Sequence, residues 1–212
     1  MTAKDQCPTF REENDFRRRG FLLVAGVDEA GRGALAGPVV AGAVIVTKQR
    51  RCGWLKDVRD SKMLTPEARE ELYEAITAEA DCFAAGIVSH IFIDDNGIVQ
   101  ATKLAMKMAI DTLPMKPHAL LIDYLRLPAL NLPQKGITDG DALCVSIACA
   151  SIIAKVTRDR LMRKLDEEFP GYGLAQHKGY GTPEHLDRLN ALGPSPIHRY
   201  TFEPVSAFRA LL

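Results

Sequence analysis

The sequence predicts an α/β protein in which helices flank a mixed central sheet. Apolar, β-branched segments come early in the chain, at residues 21–27, 38–47 and 82–89. Helical segments then alternate with a further strand at 119–122, and this order favours helices packed on the faces of a sheet. With 212 residues, 47% hydrophobic and 25% charged, the chain is long enough for one sizeable core.

The first strand runs into two acids and a glycine-rich turn. Asp28 and Glu29 are expected where the chain leaves this strand, and Gly31, Arg32 and Gly33 follow as a loop with little side-chain bulk. Glycine permits positive φ and lets the backbone approach a ligand closely, and an arginine offers a forked donor suited to phosphate. The combination predicts a divalent-metal site beside a phosphodiester.

Capping signals predict the helices. Thr-Pro-Glu sequences open two of them, and a run of Asp-Asp-Asn opens another that two prolines stop. A Pro-, Gly- and Asn-rich loop at 125–140 has room for a short strand. The predicted helices cover residues 65–80, 94–113, 141–169 and a segment that begins at Thr182 and ends near Gly193.

Composition limits the compartment and the partners. Five cysteines without a CxxC pair favour buried thiols in a reducing compartment over a disulfide framework. No apolar run reaches the roughly 18 residues of a membrane span, and the charged first twenty residues do not resemble a signal peptide. We therefore expect a cytoplasmic protein without a membrane partner, and, in the absence of a coiled-coil pattern, a monomer.

Four acids form the candidate metal site: Asp28, Glu29, Asp123 after the 119–122 strand, and Asp141 at the start of the long helix. Mg²⁺ and Mn²⁺ prefer oxygen ligands, and two such ions about 4 Å apart can activate a water and stabilise a leaving oxygen. Each acid also has a purely structural interpretation. Asp141 is a possible N-cap, Asp123 a strand-end turn residue, and the Asp28–Glu29 pair part of a surface turn.

Five motifs in register resemble bacterial ribonuclease HII. The resemblance covers roughly residues 21–205 and includes Pro-Ile-His-Arg at 196–199. The motifs are Gly-Val-Asp-Glu-Ala-Gly-Arg-Gly (26–33) with Leu-Ala-Gly-Pro-Val-Val (35–40), Asp-Ser-Lys (60–62), Ala-Ser-Ile-Ile-Ala-Lys-Val-Thr-Arg-Asp (150–159) and His-Lys-Gly-Tyr-Gly-Thr (177–182).

The resemblance implies a ribonuclease H-like fold with a small C-terminal helical segment. It divides the chain into an N-terminal extension (1–20), a catalytic domain (21–169) and a C-terminal segment (170–212). Enzymes of this family cut on the 5′ side of a ribonucleotide, in RNA–DNA hybrids or in duplex DNA with embedded ribonucleotides. They leave a 3′-hydroxyl and a 5′-phosphate.

The resemblance also implies residue roles. Asp28, Glu29, Asp123 and Asp141 match the family's four metal-binding positions, with Mg²⁺ or Mn²⁺ as cofactor. Gly31, Arg32 and Gly33 match the loop that recognises the 2′-hydroxyl at the ribo-to-deoxy junction. Tyr180 matches the tyrosine that stacks on the following deoxyribose, and Lys62 resembles the family's phosphate contact.

The chemistry of these residue types agrees with those roles. The 2′-hydroxyl both donates and accepts, and backbone groups exposed by glycines can do both. A tyrosine ring against the next sugar would reject a 2′-hydroxyl there by crowding. Alternatively, Tyr180 is a packed loop aromatic, and the basic residues form a solvated face. Those basic residues are Lys62, Lys155, Arg158 and Arg160.

Two positions depart from the family pattern beside the proposed ligands. Tyr124 follows Asp123 where the family often has glycine, so the edge of the site is expected to be bulkier. Asp139 stands where a lysine commonly precedes the Gly-Asp pair. This replaces a positive charge with a negative one and is expected to affect phosphate attraction or metal preference.

Other classes fit less well. A catalytically silent nucleic-acid-binding module on the same fold has no use for four acids that face phosphates. The sequence contains no P-loop motif and no G-x-S-x-G, which argues against a P-loop phosphotransferase and a serine hydrolase. His177, His185 and His198 lack tight zinc spacing and are expected at the surface or on the substrate side.

Overall fold

A five-stranded mixed sheet forms the centre of the protein in the computed structural model, which describes residues 7–47, 53–59 and 61–211. The strand order is β3-β2-β1-β4-β5. Strand β1 pairs antiparallel with β2 and parallel with β4, so the predicted mixed sheet is confirmed. The strands are β1 (Val24–Ala30), β2 (Val39–Ile45), β3 (Cys82–Val88), β4 (Ala119–Asp123) and β5 (Gln134–Ile137).

Helices lie on both faces of the sheet. Thr65 and Thr182 cap α2 and α8 as predicted, because each threonine hydroxyl accepts a hydrogen bond from a backbone N–H of the first turn. The α-helices are α1 (Arg11–Arg18), α2 (Pro66–Glu79), α3 (His90–Asn96), α4 (Ile98–Asp111), α5 (Gly140–Leu143), α6 (Val145–Glu168), α7 (Leu174–His177) and α8 (Pro183–Leu192). Short 3₁₀ helices cover Gly53–Lys56, Ser61–Met63 and Val205–Leu211.

Two predicted helices are each divided in the structure. The helix expected over 94–113 breaks at Gly97, where φ is 80°, and its first part begins earlier, with Ser89 as the N-cap. The expected caps include Asp94, whose carboxylate instead accepts hydrogen bonds from the backbone of Tyr200 and Thr201. The helix expected from 141 breaks at Cys144, whose backbone is extended.

Helices α6 and α4 approach the sheet closely because glycines face them. A Cβ built on Gly26 of β1 would lie 2.1 Å from the backbone carbon of Ser146 in α6. On the other face, a Cβ on Gly86 of β3 would lie 2.0 Å from the carbonyl oxygen of Ala105 in α4. A larger residue at either position would push the helix away from the sheet, and with it the residues that the helix carries.

The N-terminal helix is anchored to the core. Phe16 is buried, and the fully buried Glu13 accepts hydrogen bonds from both the backbone N–H (2.9 Å) and the hydroxyl (2.8 Å) of Ser146. Glu13 therefore supplies a carboxylate to the first turn of α6. The division of the chain at residues 20 and 169 stays a prediction. In the described residues, no helix is long and apolar enough to cross a membrane.

Candidate active site

Strand β1 carries the first two acids. The sequence suggested that Asp28 and Glu29 follow the strand. In the structure both lie within it, because pairing with β2 continues through Ala30. Asp28 is only 5% exposed. The notion of a surface turn is therefore wrong for this pair, and Asp28 is a carboxylate held inside the protein.

Strand β4 and helix α5 bring the other two acids to the same place. Val27 of β1 pairs with Ile122 of β4, so Asp28 and Asp123 are the next residues of two parallel neighbours. The Asp123 carboxylate accepts a hydrogen bond of 2.8 Å from the backbone N–H of Gly140, which directly precedes Asp141.

Asp141 is not the N-cap of a helix. The residue at the N-cap position of α5 is Asp139, which has a left-handed backbone and makes no side-chain capping hydrogen bond. Asp141 lies in the first turn and is 5% exposed. A buried carboxylate in this position needs compensation from elsewhere.

The four acids interact electrostatically. Burial raises the pKa of Asp28 well above its usual range, and the negative charges of Glu29, Asp123 and Asp141 raise it further. A doubly charged cation would reverse these unfavourable interactions, and carboxylate oxygens are the ligands that Mg²⁺ and Mn²⁺ prefer. The residue chemistry therefore fits a divalent metal.

The carboxylates nevertheless make protein contacts. In the described parts of the chain, no group of three or more His, Cys, Asp or Glu side chains is arranged so that it could hold a metal ion. Asp28 accepts a hydrogen bond of 2.7 Å from the backbone N–H of Glu29, and the Glu29 carboxylate lies 3.3 Å from the Arg32 guanidinium. A metal ion bound by these acids would have to compete with such contacts. Metal binding at this site is therefore proposed below and is not an observation.

The loop formed by Gly31, Arg32 and Gly33, called the glycine loop below, is held by the buried Arg199, which the sequence did not single out as structural. Arg199 donates hydrogen bonds to the carbonyl oxygens of Gly31 (2.7 Å), Arg32 (2.9 Å) and Gly37 (2.9 and 3.0 Å). Burial lowers the pKa of Arg199 to about 9, which leaves it protonated at neutral pH. The loop backbone therefore has a fixed shape before any substrate binds.

Arg158 supports the same region from α6. It is fully buried, so the alternative of a solvated face is wrong for this residue. Its guanidinium donates to the carbonyl oxygens of Pro38 (2.9 Å), Ala36 (3.1 Å) and Lys178 (2.9 Å). The only sequence signals for these two arginines were the motifs at 150–159 and 196–199 in which they stand.

Tyr180 lies next to the glycine loop. Its backbone forms an antiparallel bridge with Ala34, and the N–H of Leu35 donates to the carbonyl of Gly179 at 2.7 Å. The Tyr180 ring is partly exposed, and the Arg158 guanidinium carbon lies 5.3 Å from its centroid. The chain thus brings Tyr180 and the residues 31–33 together, although about 150 residues separate them.

The sequence also predicted roles for Lys62 and for two histidines. Lys62 belongs to the Ser61–Met63 turn, but its side chain lies outside the described residues. His185 and His198 are fully buried, so a surface role is wrong for both.

Tyr124 is 65% exposed and has a φ of 55°. Glycine adopts such a backbone without steric cost, which fits the family preference for glycine there.

The fold and the site together define a class of protein: a ribonuclease H-like α/β protein with a cluster of acids beside a glycine loop. A family model described as ribonuclease HII matches residues 25–205. The chain is 58% identical over 205 residues to a ribonuclease HII from Dehalococcoides mccartyi strain BAV1, covering 97% of each protein. The chain belongs to the ribonuclease HII family, and it is an endoribonuclease that acts on RNA in RNA–DNA hybrids.

Solved structures agree on the fold. The ribonuclease H2 from Pyrococcus horikoshii OT3 has a TM-score of 0.75 and 29% identity, and the match covers 89% of this chain and 98% of that one. A structure of the PCNA:RNase HII complex from Archaeoglobus fulgidus has a TM-score of 0.72 and 30% identity, with 86% and 96% covered. Family members depend on a divalent metal.

Proposed function

We propose that this enzyme hydrolyses the phosphodiester on the 5′ side of a ribonucleotide, both in RNA–DNA hybrids and at single ribonucleotides embedded in duplex DNA. The products carry a 3′-hydroxyl and a 5′-phosphate. Two divalent ions, Mg²⁺ or Mn²⁺, are held by Asp28, Glu29, Asp123 and Asp141. The observation that carries this proposal is the convergence of the acids: Asp28 and Asp123 follow a paired position on adjacent parallel strands, and Asp123 accepts a hydrogen bond from Gly140, which directly precedes Asp141.

When bound, the ions supply Lewis-acid stabilisation of the charge that develops during displacement at phosphorus and lower the pKa of water. The protein's own part would be to bring the four carboxylates together around the ions. The strand register fixes Asp28 beside Asp123, and the Asp123–Gly140 hydrogen bond holds Asp141 next to them. Two of these acids are 5% exposed, so most of the surrounding water is already excluded.

Recognition of the ribose is assigned to the glycine loop. Arg199 occupies the carbonyl oxygens of Gly31 and Arg32, whereas Gly33 is exposed and has open space on its Cβ side. The backbone of Gly33 is therefore accessible to a 2′-hydroxyl, which needs a donor or an acceptor. Arg32 is partly exposed and offers a guanidinium to phosphate, in competition with its contact to Glu29.

Tyr180 is assigned to the sugar that follows the ribonucleotide. Its partly exposed ring lies beside the glycine loop, and the Lys155 ammonium lies 5.7 Å from the ring centroid. A flat ring at this position would leave no room for a second 2′-hydroxyl. Together, the loop and the ring would select a ribo-to-deoxy junction. Lys62 is the proposed phosphate contact, from its motif alone.

The central test is cleavage of a duplex with one embedded ribonucleotide, in Mg²⁺ and separately in Mn²⁺, with the cut mapped by end analysis. Asp28→Asn is expected to reduce the rate by at least about a hundredfold, because it removes a ligand that supports charge stabilisation worth several kcal/mol. Binding of the duplex should change little. Asp187→Asn, at an exposed carboxylate of α8, is the matched control and should cut normally.

Two results would contradict the proposal. Full activity of Asp28→Asn would remove the metal role of the acids, and a cut on the 3′ side of the ribonucleotide would remove the proposed bond specificity.

A further inference from the structure

We propose that His185 and His198 are positioning residues for Tyr180, linked to it by a directed chain of hydrogen bonds that runs from Ser195 to the Tyr180 carbonyl. This inference rests on the proposed recognition role of Tyr180. It adds two buried histidines to the determinants of junction selection.

The direction of the chain follows from its first donor. The backbone N–H of Ser195 lies 2.9 Å from Nδ1 of His198, and an amide N–H can only donate. The Ser195 hydroxyl also lies 2.8 Å from the same nitrogen. Nδ1 of His198 is therefore the acceptor, so a neutral His198 carries its proton on Nε2.

The second link fixes the tautomer of His185. Nε2 of His198 lies 3.1 Å from Nε2 of His185, so the first nitrogen donates and the second accepts. A neutral His185 must then carry its proton on Nδ1, which lies 2.9 Å from the carbonyl oxygen of Tyr180. Because that oxygen can only accept, each donor meets an acceptor at every step.

The chain requires both rings to be neutral. A proton added at the contact between the rings would place two N–H groups opposite each other, and one added to Nδ1 of His198 would face the Ser195 N–H. Burial, together with the proximity of His185, lowers the pKa of His198 to about 4. Burial likewise lowers the pKa of His185. Both rings are thus neutral at neutral pH.

The groups around the pair favour this neutral state. His177 stacks on His185, with ring centroids 4.2 Å apart, and the Tyr172 ring lies 5.1 Å from His198. His177 itself accepts from the backbone N–H of Gly179 (3.2 Å) through Nδ1 and donates to the Tyr172 carbonyl (2.7 Å) through Nε2. The backbones of Gly179 and Tyr180 are therefore each held by an imidazole, that of His177 and that of His185.

The consequence concerns the Tyr180 loop. Its position relative to the glycine loop is set on one side by the pairing of Tyr180 with Ala34 and on the other by hydrogen bonds to the Tyr180 carbonyl, one from His185 and one of 2.8 Å from the backbone N–H of Thr182. If His185 lost its partner, its proton could move to Nε2, and the bare Nδ1 would then face the Tyr180 carbonyl. Two acceptors would meet, and the loop would move away from the sugar that its ring contacts.

Two substitutions of His198 separate this role from packing. His198→Gln places an amide N–H near the position of Nε2 and can keep the link to His185, whereas His198→Asn places its amide near Nδ1 and cannot. The readout is the ratio of cleavage rates on an embedded-ribonucleotide duplex and on a long RNA–DNA hybrid. His198→Asn should lower this ratio about fivefold, the equivalent of one hydrogen bond of about 1 kcal/mol. His198→Gln should retain most of it.

A spectroscopic readout accompanies the kinetics. In the wild-type protein labelled with ¹⁵N-histidine, His185 should appear as the Nδ1–H tautomer and His198 as the Nε2–H tautomer at neutral pH. The opposite tautomers would overturn the inference even if both variants fail to fold. Equal losses of selectivity in the two variants would also overturn it, because packing alone would then explain them.

Tyr180→Ala separates this inference from the proposed function. If that variant loses selectivity while His198→Asn keeps it, the positioning role is wrong and the recognition role stands. If Tyr180→Ala keeps the wild-type ratio, the recognition role fails, and the positioning role fails with it.

Discussion

Replacing Gly31 by alanine should destabilise the protein through the arginine behind the glycine loop. Gly31 has a φ of +92°, and a left-handed backbone costs an L-residue roughly 1–2 kcal/mol. The new Cβ would lie 2.0 Å from Nε of Arg158, whose side chain is held by hydrogen bonds to the carbonyls of Pro38, Ala36 and Lys178. Moving the guanidinium would sacrifice at least one charged hydrogen bond, worth about 1.5–3 kcal/mol.

The two effects sum to roughly 2.5–5 kcal/mol, a large part of the 5–15 kcal/mol typical of folded domains. In urea, with a slope of about 2–3 kcal/mol per molar, the unfolding midpoint of Gly31→Ala should fall by roughly 0.8–2.5 M. The matched control is Gly33→Ala in the same loop. Gly33 is exposed, and a Cβ there meets no atom within 4 Å, so its stability should change by no more than about 0.5 kcal/mol.

The pair also separates stability from recognition. Gly33→Ala should keep its urea midpoint but cut the embedded-ribonucleotide duplex more slowly, since the added methyl group stands where the backbone would approach the ribose. Equal midpoints for the two variants would refute the reasoning, because the strain at Gly31 and the rigidity of Arg158 would then have no measurable effect.

Three further predictions concern buried groups. Because the pKa of Asp28 is raised, the wild type loses stability as the pH rises through that pKa. Asp28→Asn should therefore be more stable than the wild type in urea at pH 8 without divalent ions, and the gain should vanish on acidification. A stability difference that does not change with pH would argue against the charge cluster. The lowered pKa of His198 makes the wild type less stable as the pH falls. Between pH 6.5 and about 4, the unfolded chain binds a proton that the native state excludes, so the wild type should lose roughly 3 kcal/mol relative to His198→Gln, measured as urea midpoints across that range. Gly26→Ala should prevent close packing of α6, because its Cβ would lie 2.1 Å from the backbone of Ser146. The expected loss is about 1–3 kcal/mol in urea unfolding. Gly53→Ala, with open space around it, should unfold like the wild type.

The sequence predicted the sheet and its flanking helices well where local chemistry decides. The threonine caps of α2 and α8 and the apolar strands before Ala30 and Asp123 are local signals, and each appears in the structure. The helix ends were less predictable. Asp94 has the composition of a cap, but its carboxylate is used by a loop more than a hundred residues away.

The candidate site was predicted as a set of residues and not as an arrangement. The motif match named Asp28, Glu29, Asp123 and Asp141, and the register of β1 and β4 explains why the first and third lie side by side. The expectation that Asp28 and Glu29 follow the strand was wrong, because nothing local signals how far the pairing with β2 extends.

By itself, the sequence determined the family, the order of the elements and the residue types that can hold a cation, since these follow from local patterns and motifs. Only the tertiary structure decided which charges are buried. Arg158, Arg199, His185 and His198 look like surface residues by type, yet each is fully buried. The physical reason is that burial of a polar group depends on partners distant in the chain: backbone carbonyl oxygens for the arginines, and each other's ring nitrogens for the histidines.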